Sequence, residues 1–187
     1  EIAEGKRKIF NGMQPSQIPE TEYGRKLFKA IGLDPTKRRP SSEALLRRAL
    51  KNQEFYQVNN LVDIGNWCSL EFMLPICAYD ADKIIGKVTV RKGTAGESYS
   101  ALNDSIIDFD GRFVLADDFG PFGSPMTDSV RTAVSDSTRN CVLVIFAPVD
   151  FEKAKLEELL QTMIDRTLKL NSGEVVFQEI LSGRADE

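Results

Sequence analysis

Residues 61–80 read LVDIGNWCSLEFMLPICAYD. Residues 57–72 predict a helix, less regular than its neighbours, and Pro75 ends it because proline disfavours helical backbone in the residue before it. The PICAYD that follows reads as a turn in which Asp80 bonds its side chain to nearby backbone. Working upstream, residues 41–51 carry Leu45, Leu46, Ala49 and Leu50 at helical spacing, with Ser41 or Ser42 as cap and Arg47, Arg48 and Lys51 at the C-terminal end. Residues 20–31 place Tyr23, Leu27, Phe28, Ala30 and Ile31 on one helix face, and Gly32 stops it.

Downstream the period changes. Residues 83–91 alternate Val88 and Val90 with Lys87, Thr89 and Arg91, and residues 112–117 form a second short strand. Residues 141–147 (CVLVIFA) are apolar throughout, which predicts a strand buried on both faces. From Asp150 to about Leu170 a helix shows one stripe of Leu156, Leu159, Leu160, Met163 and Ile164, and residues 174–181 (EVVFQEIL) predict a closing strand. Helices and strands do not alternate strictly, so the class is α+β in one domain. Residues 92–111 and 117–131 read as long loops rich in Gly, Ser and Asp, a feature of functional segments.

Composition narrows the chemistry. The chain has 187 residues, 42% hydrophobic and 28% charged, which is ordinary globular composition. It has no histidine, so a Ser-His-Asp triad, a Cys-His dyad and a histidine metal site are all excluded. Three widely spaced cysteines (Cys68, Cys77 and Cys141) are neither a disulfide framework nor a zinc ribbon, and fit a reducing, cytoplasmic compartment. The longest apolar run is about eight residues, too short to span a bilayer. No phosphate-binding glycine pattern follows a strand. Residues 1–18 read as an N-terminal segment, truncated in that it starts on Glu1, and 19–187 as the domain.

The net charge of −4 divides unevenly. Residues 1–55 hold 12 Lys/Arg against 7 Asp/Glu, and residues 56–187 hold 12 against 21. The basic clusters are Arg25 with Lys26, Lys37 with Arg38 and Arg39, and Arg47 with Arg48. They are either solvated helix faces or a surface that tracks phosphates.

Six segments in order resemble one family. Val62–Asp63, Asn66, Pro75 and Ala78–Tyr79–Asp80 fall at the spacings of V-V-D-x-T-N, Q-P and H-A-F-D in the B3/4 domain of the bacterial phenylalanyl-tRNA synthetase beta subunit. IIGKVTVRKGTAGE (84–97), FDG (109–111), FVLAD (113–117) and VSDSTRNCVL (134–143) are similar to its later motifs, and DPTKRRPSSEALLRRAL (34–50) looks like its freestanding members. The resemblance covers about residues 20–147. It implies a β-barrel-like or sandwich core with helices packed outside. It also implies a domain that accepts the 3′ end of a mischarged tRNA and hydrolyses the wrong amino acid, tyrosine on phenylalanine tRNA. The expected partner is tRNA through its aminoacylated 3′ end, with no DNA, no membrane, no cofactor and no metal.

Carried over residue by residue, Asn66 and Pro75 match pocket positions, Gly65 replaces the threonine before the asparagine, and Gly120–Gly123 correspond to a glycine-rich wall ahead of Ser129. Cys77 stands where the family has a water-positioning histidine, and Val144 where it has the glutamate that reads the tyrosine hydroxyl. An apolar wall there favours a small or aliphatic side chain.

Candidate catalytic groups are Asn66, Cys77 and Glu97. Each has an alternative: a cap for the helix from Trp67 onward or a helix bend for Asn66, a packed, inert thiol for Cys77 and a surface carboxylate for Glu97. Substrate contacts are expected from Asn66, Pro75, Cys77, Tyr79, Asp80, Asp117, Gly120, Phe122, Asp128, Ser129 and Val144. Trp67, Tyr79, Phe119 and Phe122 are candidates to stack an adenine. Arg25, Arg38, Arg39, Arg47 and Arg48 are candidates to hold phosphates. The leading expectation is a trans-acting deacylase of mischarged aminoacyl-tRNA. The alternatives are a non-catalytic RNA-binding module and an amino-acid binder using the same pocket.

Overall fold

Asn59 starts the helix that the opening stretch encodes: its side chain accepts a hydrogen bond from the Val62 backbone N–H at 3.0 Å. In a computed structural model describing residues 1–182, this is α4 (Asn60–Phe72), which stops at Met73 in the left-handed conformation, φ 58°. Ser69 Oγ donates to the Leu74 carbonyl at 2.7 Å, turning the chain directly into β1 (Ile76–Asp80). PICAYD is therefore a strand rather than a turn. Only Asp80 behaves as expected, accepting from Asp82 N–H at 3.2 Å to open the 3₁₀ turn Ala81–Lys83.

Ahead of α4 come α1 (Ile2–Ile9), α2 (Thr21–Ala30) and α3 (Ser41–Leu50). Residues 1–18 pack onto α3 and α4: Phe10 and Ile18 share a buried cluster with Leu46, Ala49, Leu70 and Met73. Neither Ser41 nor Ser42 caps α3. Pro40 holds the N-cap position, and Ser42 is buried against Gly24 of α2.

The strands follow as β2 (Thr89–Lys92), β3 (Ser98–Ser100), β4 (Ile106–Asp108), β5 (Phe113–Asp117), β6 (Gly120–Gly123) and β7 (Cys141–Ile145), then α5 (Lys153–Leu170). They make three antiparallel sheets: β1 with β7, β3 with β4, and β2-β5-β6. Strands of three to five residues in separate sheets do not close a barrel among the described residues. The mixed helix-and-sheet class holds.

Several expected elements shift. The strand over 83–91 begins only at Thr89, because the chain first passes through the 3₁₀ turn and through Gly86 at φ 69°. Its valines face out: Val88 is 46% and Val90 48% exposed. The long loops contain the β3–β4 hairpin and β6. β7 is an edge strand, so Cys141 and Val142 are exposed and only its second half is covered. Residues 174–181 form no strand, and Val176 and Phe177 are exposed.

The β1–β7 pair divides the core. One face holds Ile76, Leu143 and Ile145 against Ile64, Cys68 and Phe72 of α4 and Leu156, Leu159, Leu160 and Met163 of α5. The opposite face holds Cys77, Tyr79 and Val144 against Leu27 of α2, Leu115 of β5 and Phe122 of β6. Alternation along a strand requires this division. It decides which candidate residues can meet.

Candidate functional site

Cys77 and Val144 lie directly opposite each other across the β1–β7 ladder. Tyr79, two residues along on the same face, is completely buried and meets Phe122 edge-to-face at 5.1 Å between centroids. Its hydroxyl reaches β6. A Cβ on Gly123 would lie 2.2 Å from Tyr79 Oη, so glycine is what lets the ring extend there. Cys77 Sγ donates to the Ser124 carbonyl at 3.5 Å.

Asp128 completes this group from the segment after β6. Burial raises its carboxyl to about 6, which the neighbouring Tyr79 hydroxyl and Cys77 thiol only partly offset. Burial also pushes the Cys77 thiol and the Tyr79 hydroxyl well above their ordinary values. A thiol in that state is a poor nucleophile. Neither Tyr79 Oη nor Asp128 Oδ1 makes a hydrogen bond of normal geometry among the described residues, although both atoms are sealed from solvent.

A groove of about 400 Å³ runs over the neighbouring surface, lined by Ser98, Tyr99 and Ser100 of β3, Phe119 to Pro121, and Ser129 to Arg131. Tyr99 Oη donates to the Thr127 carbonyl at 2.5 Å and approaches Ser124 Oγ at 3.2 Å. Tyr99 and Ser129 are thus groove residues that flank the backbone of Asp128 on either side. Phe119 projects with 72% of its surface exposed, and the Arg131 guanidinium lies 5.0 Å from its ring centroid.

Arg131 is held in place by Asp117. Both Asp117 oxygens accept from Arg131 at 2.9 Å, and they also accept from the backbone N–H groups of Ile85, Phe119 and Gly120 at 2.8, 3.0 and 3.1 Å. Burial alone would raise the Asp117 carboxyl, but Arg131 and these amides hold it below its usual value. Asp117 therefore shapes the groove and has no capacity left for a ligand. Arg131 escaped the sequence reading because its partner lies 14 residues away, and no local pattern announces the pair.

The remaining candidates scatter. Asn66 is a half-buried residue in α4, the helix packed on the face of β1 opposite to Cys77, and no hydrogen bond links it to Cys77 or Val144. Pro75 is buried at the start of β1, its carbonyl accepting from Phe146 N–H at 3.0 Å. Asp80 is occupied by Thr138 Oγ1 at 2.7 Å and Lys83 Nζ at 3.4 Å, Thr138 being the main cause of its lowered carboxyl. Glu97 is gripped by both Arg91 nitrogens at 2.7 and 2.6 Å and by Thr94 N–H, which brings its carboxyl down to about 2. At that value it is a feeble general base. Phe122, 1% exposed, cannot stack a base, and Gly120 and Ser129 do line the groove. Trp67, 40% exposed, is covered by Arg166 at 4.3 Å.

Among the basic residues, Arg25 donates twice to the buried Glu43 at 2.8 Å, and Arg39 adds a contact at 3.5 Å. Arg48 donates to the Glu54 carbonyl and lies over the Tyr56 ring. Lys37, Arg38 and Arg47 are exposed. A second groove of about 440 Å³, between α1 and the end of α3, is lined by Glu4, Arg7, Asn52 and Phe55 and contains none of the candidate site residues. No group of three or more acidic or cysteine side chains that could hold a metal occurs among the described residues, and no described helix is long and apolar enough to cross a membrane.

Residues 24–162 match the model of the B3/4 domain family. The chain belongs to the B3/4 domain family. This B3/4 domain is similar to the phenylalanine–tRNA ligase beta subunit of Neisseria meningitidis serogroup B, 31% identical over 140 residues, which is 72% of this chain and 18% of that protein. It is 34% identical to the Bartonella quintana beta subunit over 139 residues, 73% of this chain and 14% of that protein. The Neisseria gonorrhoeae beta subunit is 34% identical over 100 residues, 52% of this chain and 13% of that protein. The matched segments thus span less than a fifth of the relatives' own length. Within the B3/4 domain, the matched range contains the whole groove and the buried Cys77–Tyr79–Asp128 group.

Proposed function

We propose that this B3/4 domain binds tRNA, takes the aminoacylated 3′ end into the Phe119–Arg131 groove, and hydrolyses the ester of a mischarged amino acid there. The observation that carries this reading is the family match across residues 24–162, which encloses the groove and which relatives named as phenylalanine–tRNA ligase beta subunits share. Three features support it. Phe119 offers a free aromatic face of the sort on which unpaired bases stack. The hydroxyls of Ser98, Ser100 and Ser129 line a groove large enough for an aminoacyl-nucleoside end. The exposed Lys37, Arg38 and Arg47 are free to meet phosphates.

Hydrolysis adds one water across the ester and releases the amino acid and the free ribose hydroxyl. With Cys77 sealed and Glu97 paired, the water is activated by the ribose hydroxyl next to the ester, and the chain's part is to bind and orient. Those same two observations favour a second reading, a tRNA-binding module without chemistry. A panel of correctly and incorrectly charged tRNAs separates the two. Selective deacylation of one mischarged species supports hydrolysis, binding without acceleration over buffer supports the module, and absence of tRNA binding contradicts both.

A further inference from the structure

The buried group beside the groove contains one acidic side chain and no countercharge. Asp128 Oδ1 and Tyr79 Oη are sealed and make no hydrogen bond of normal geometry among the described residues, the nearby Tyr79 hydroxyl and Cys77 thiol offset the burial of the carboxyl only in part, and the Cys77 thiol donates to the Ser124 carbonyl. The groups that face Asp128 are Cys77 and Tyr79 of β1 and Tyr99 of β3, all uncharged at neutral pH. No Lys or Arg pairs with Asp128 among the described residues, whereas Asp117, eleven positions earlier, has Arg131. An ionised carboxylate left in such a place is unfavourable until a cation joins it.

We propose that Asp128, with Tyr79 beside it, is the receptor for a primary ammonium group on the ligand of the groove. This rests on the reading that the groove takes an aminoacyl end, and it assigns the α-ammonium of that group to Asp128. The donor count selects the class. An ammonium offers three N–H donors, one for Asp128 Oδ1 and one for Tyr79 Oη. A neutral hydroxyl satisfies the hydrogen bonds and leaves the charge unpaired. A divalent cation needs more oxygen ligands than one carboxylate supplies. Asp128 thus restores an anionic group on the wall where Cys77 and Val144 face each other, from a different element of the fold.

The test uses the full chain and a set of adenosines carrying an amide-linked amino acid at the 3′ position, each with a free or an N-acetylated α-amine. Calorimetry measures affinity for both. N-acetylation is expected to weaken binding about 10- to 100-fold, the range for losing a charged hydrogen bond. Asp128→Asn is expected to reduce the free-amine compound to the level of its acetylated partner, with the acetylated compound unchanged. Between pH 5 and 6 the free-amine compound is expected to release protons on binding, read from buffers of different ionisation enthalpy, and the acetylated one none. Equal affinity of free and acetylated compounds overturns the proposal and leaves the aminoacyl reading standing. Binding of neither compound overturns both. Where Asp128→Asn fails to fold, the wild-type comparison and its proton release decide alone.

Discussion

At Asp128 the carboxyl moves from an ordinary 3.8 to about 6, so the folded chain holds a proton that the unfolded chain releases between those values. The stabilisation from this group is complete below about pH 4 and is lost as pH rises through about 6. Its size is roughly 3 kcal/mol between those limits. Relative to wild type, Asp128→Asn is therefore expected to gain stability progressively from about pH 4 to about pH 6 and to level off above about pH 7, in thermal or denaturant unfolding. A difference that stays flat over that range contradicts the burial of the carboxyl. The thiols give a second residue-level test. Cys68 and Cys77 are buried and Cys141 is exposed, so an alkylating reagent under native conditions is expected to modify Cys141 first, as read by mass spectrometry of tryptic peptides. Modification of Cys77 at the same rate contradicts the sealed group.

The contact of β1 with β6 rests on one atom-sized space. A methyl group on Gly123 collides with Tyr79 Oη, so Gly123→Ala is expected to destabilise by roughly 1–3 kcal/mol, the usual cost of overpacking. Tyr79→Phe removes an unbonded hydroxyl and is expected to be near neutral. The double variant is then expected to recover part of the Gly123→Ala loss, because neighbours that share a space are not additive. Strict additivity in chemical denaturation contradicts the contact. Asp117→Ala leaves Arg131 unpaired beside the groove and frees three backbone amides, and is expected to cost about 3–5 kcal/mol.

These elements also show what the sequence carries. Helices α2 to α5 are legible within a few residues because apolar spacing and Pro75 are local signals. The β1 strand is not, because PICAYD contains a proline and an Asp-led turn and its partner β7 lies some 65 residues on. The terminal EVVFQEIL has strand composition without a strand, since β propensity acts through neighbouring strands and none pairs with it among the described residues. The resemblance placed Cys77 and Val144 in one pocket, and the register places them face to face. The Asp117–Arg131 clasp and the unpaired Asp128 depend on three-dimensional proximity and left no pattern in the chain.

At the scale of the whole molecule, the proposed function gives tRNA two contact regions, the exposed basic residues of the N-terminal third and the groove. Two kinds of arginine separate there. Arg38 and Arg47 are exposed, so changing either to Ala is expected to lower the salt dependence of tRNA binding by about 0.7–0.9 per phosphate contact with no effect on stability. Arg25 is bound to the buried Glu43, so Arg25→Ala is expected to destabilise the α2–α3 contact by about 3–5 kcal/mol instead. Filter binding across a salt series, paired with unfolding curves, checks both. The central claim is that the Phe119–Arg131 groove receives the tRNA 3′ end. Its most direct test is a tRNA with a photoreactive terminal adenosine, crosslinked to the full chain and mapped by peptide mass spectrometry. The account predicts crosslinks at residues 98–100 and 119–131, lost when Phe119 is replaced by Ala. Crosslinks at the α1–α3 groove around Arg7 and Phe55 instead would contradict it.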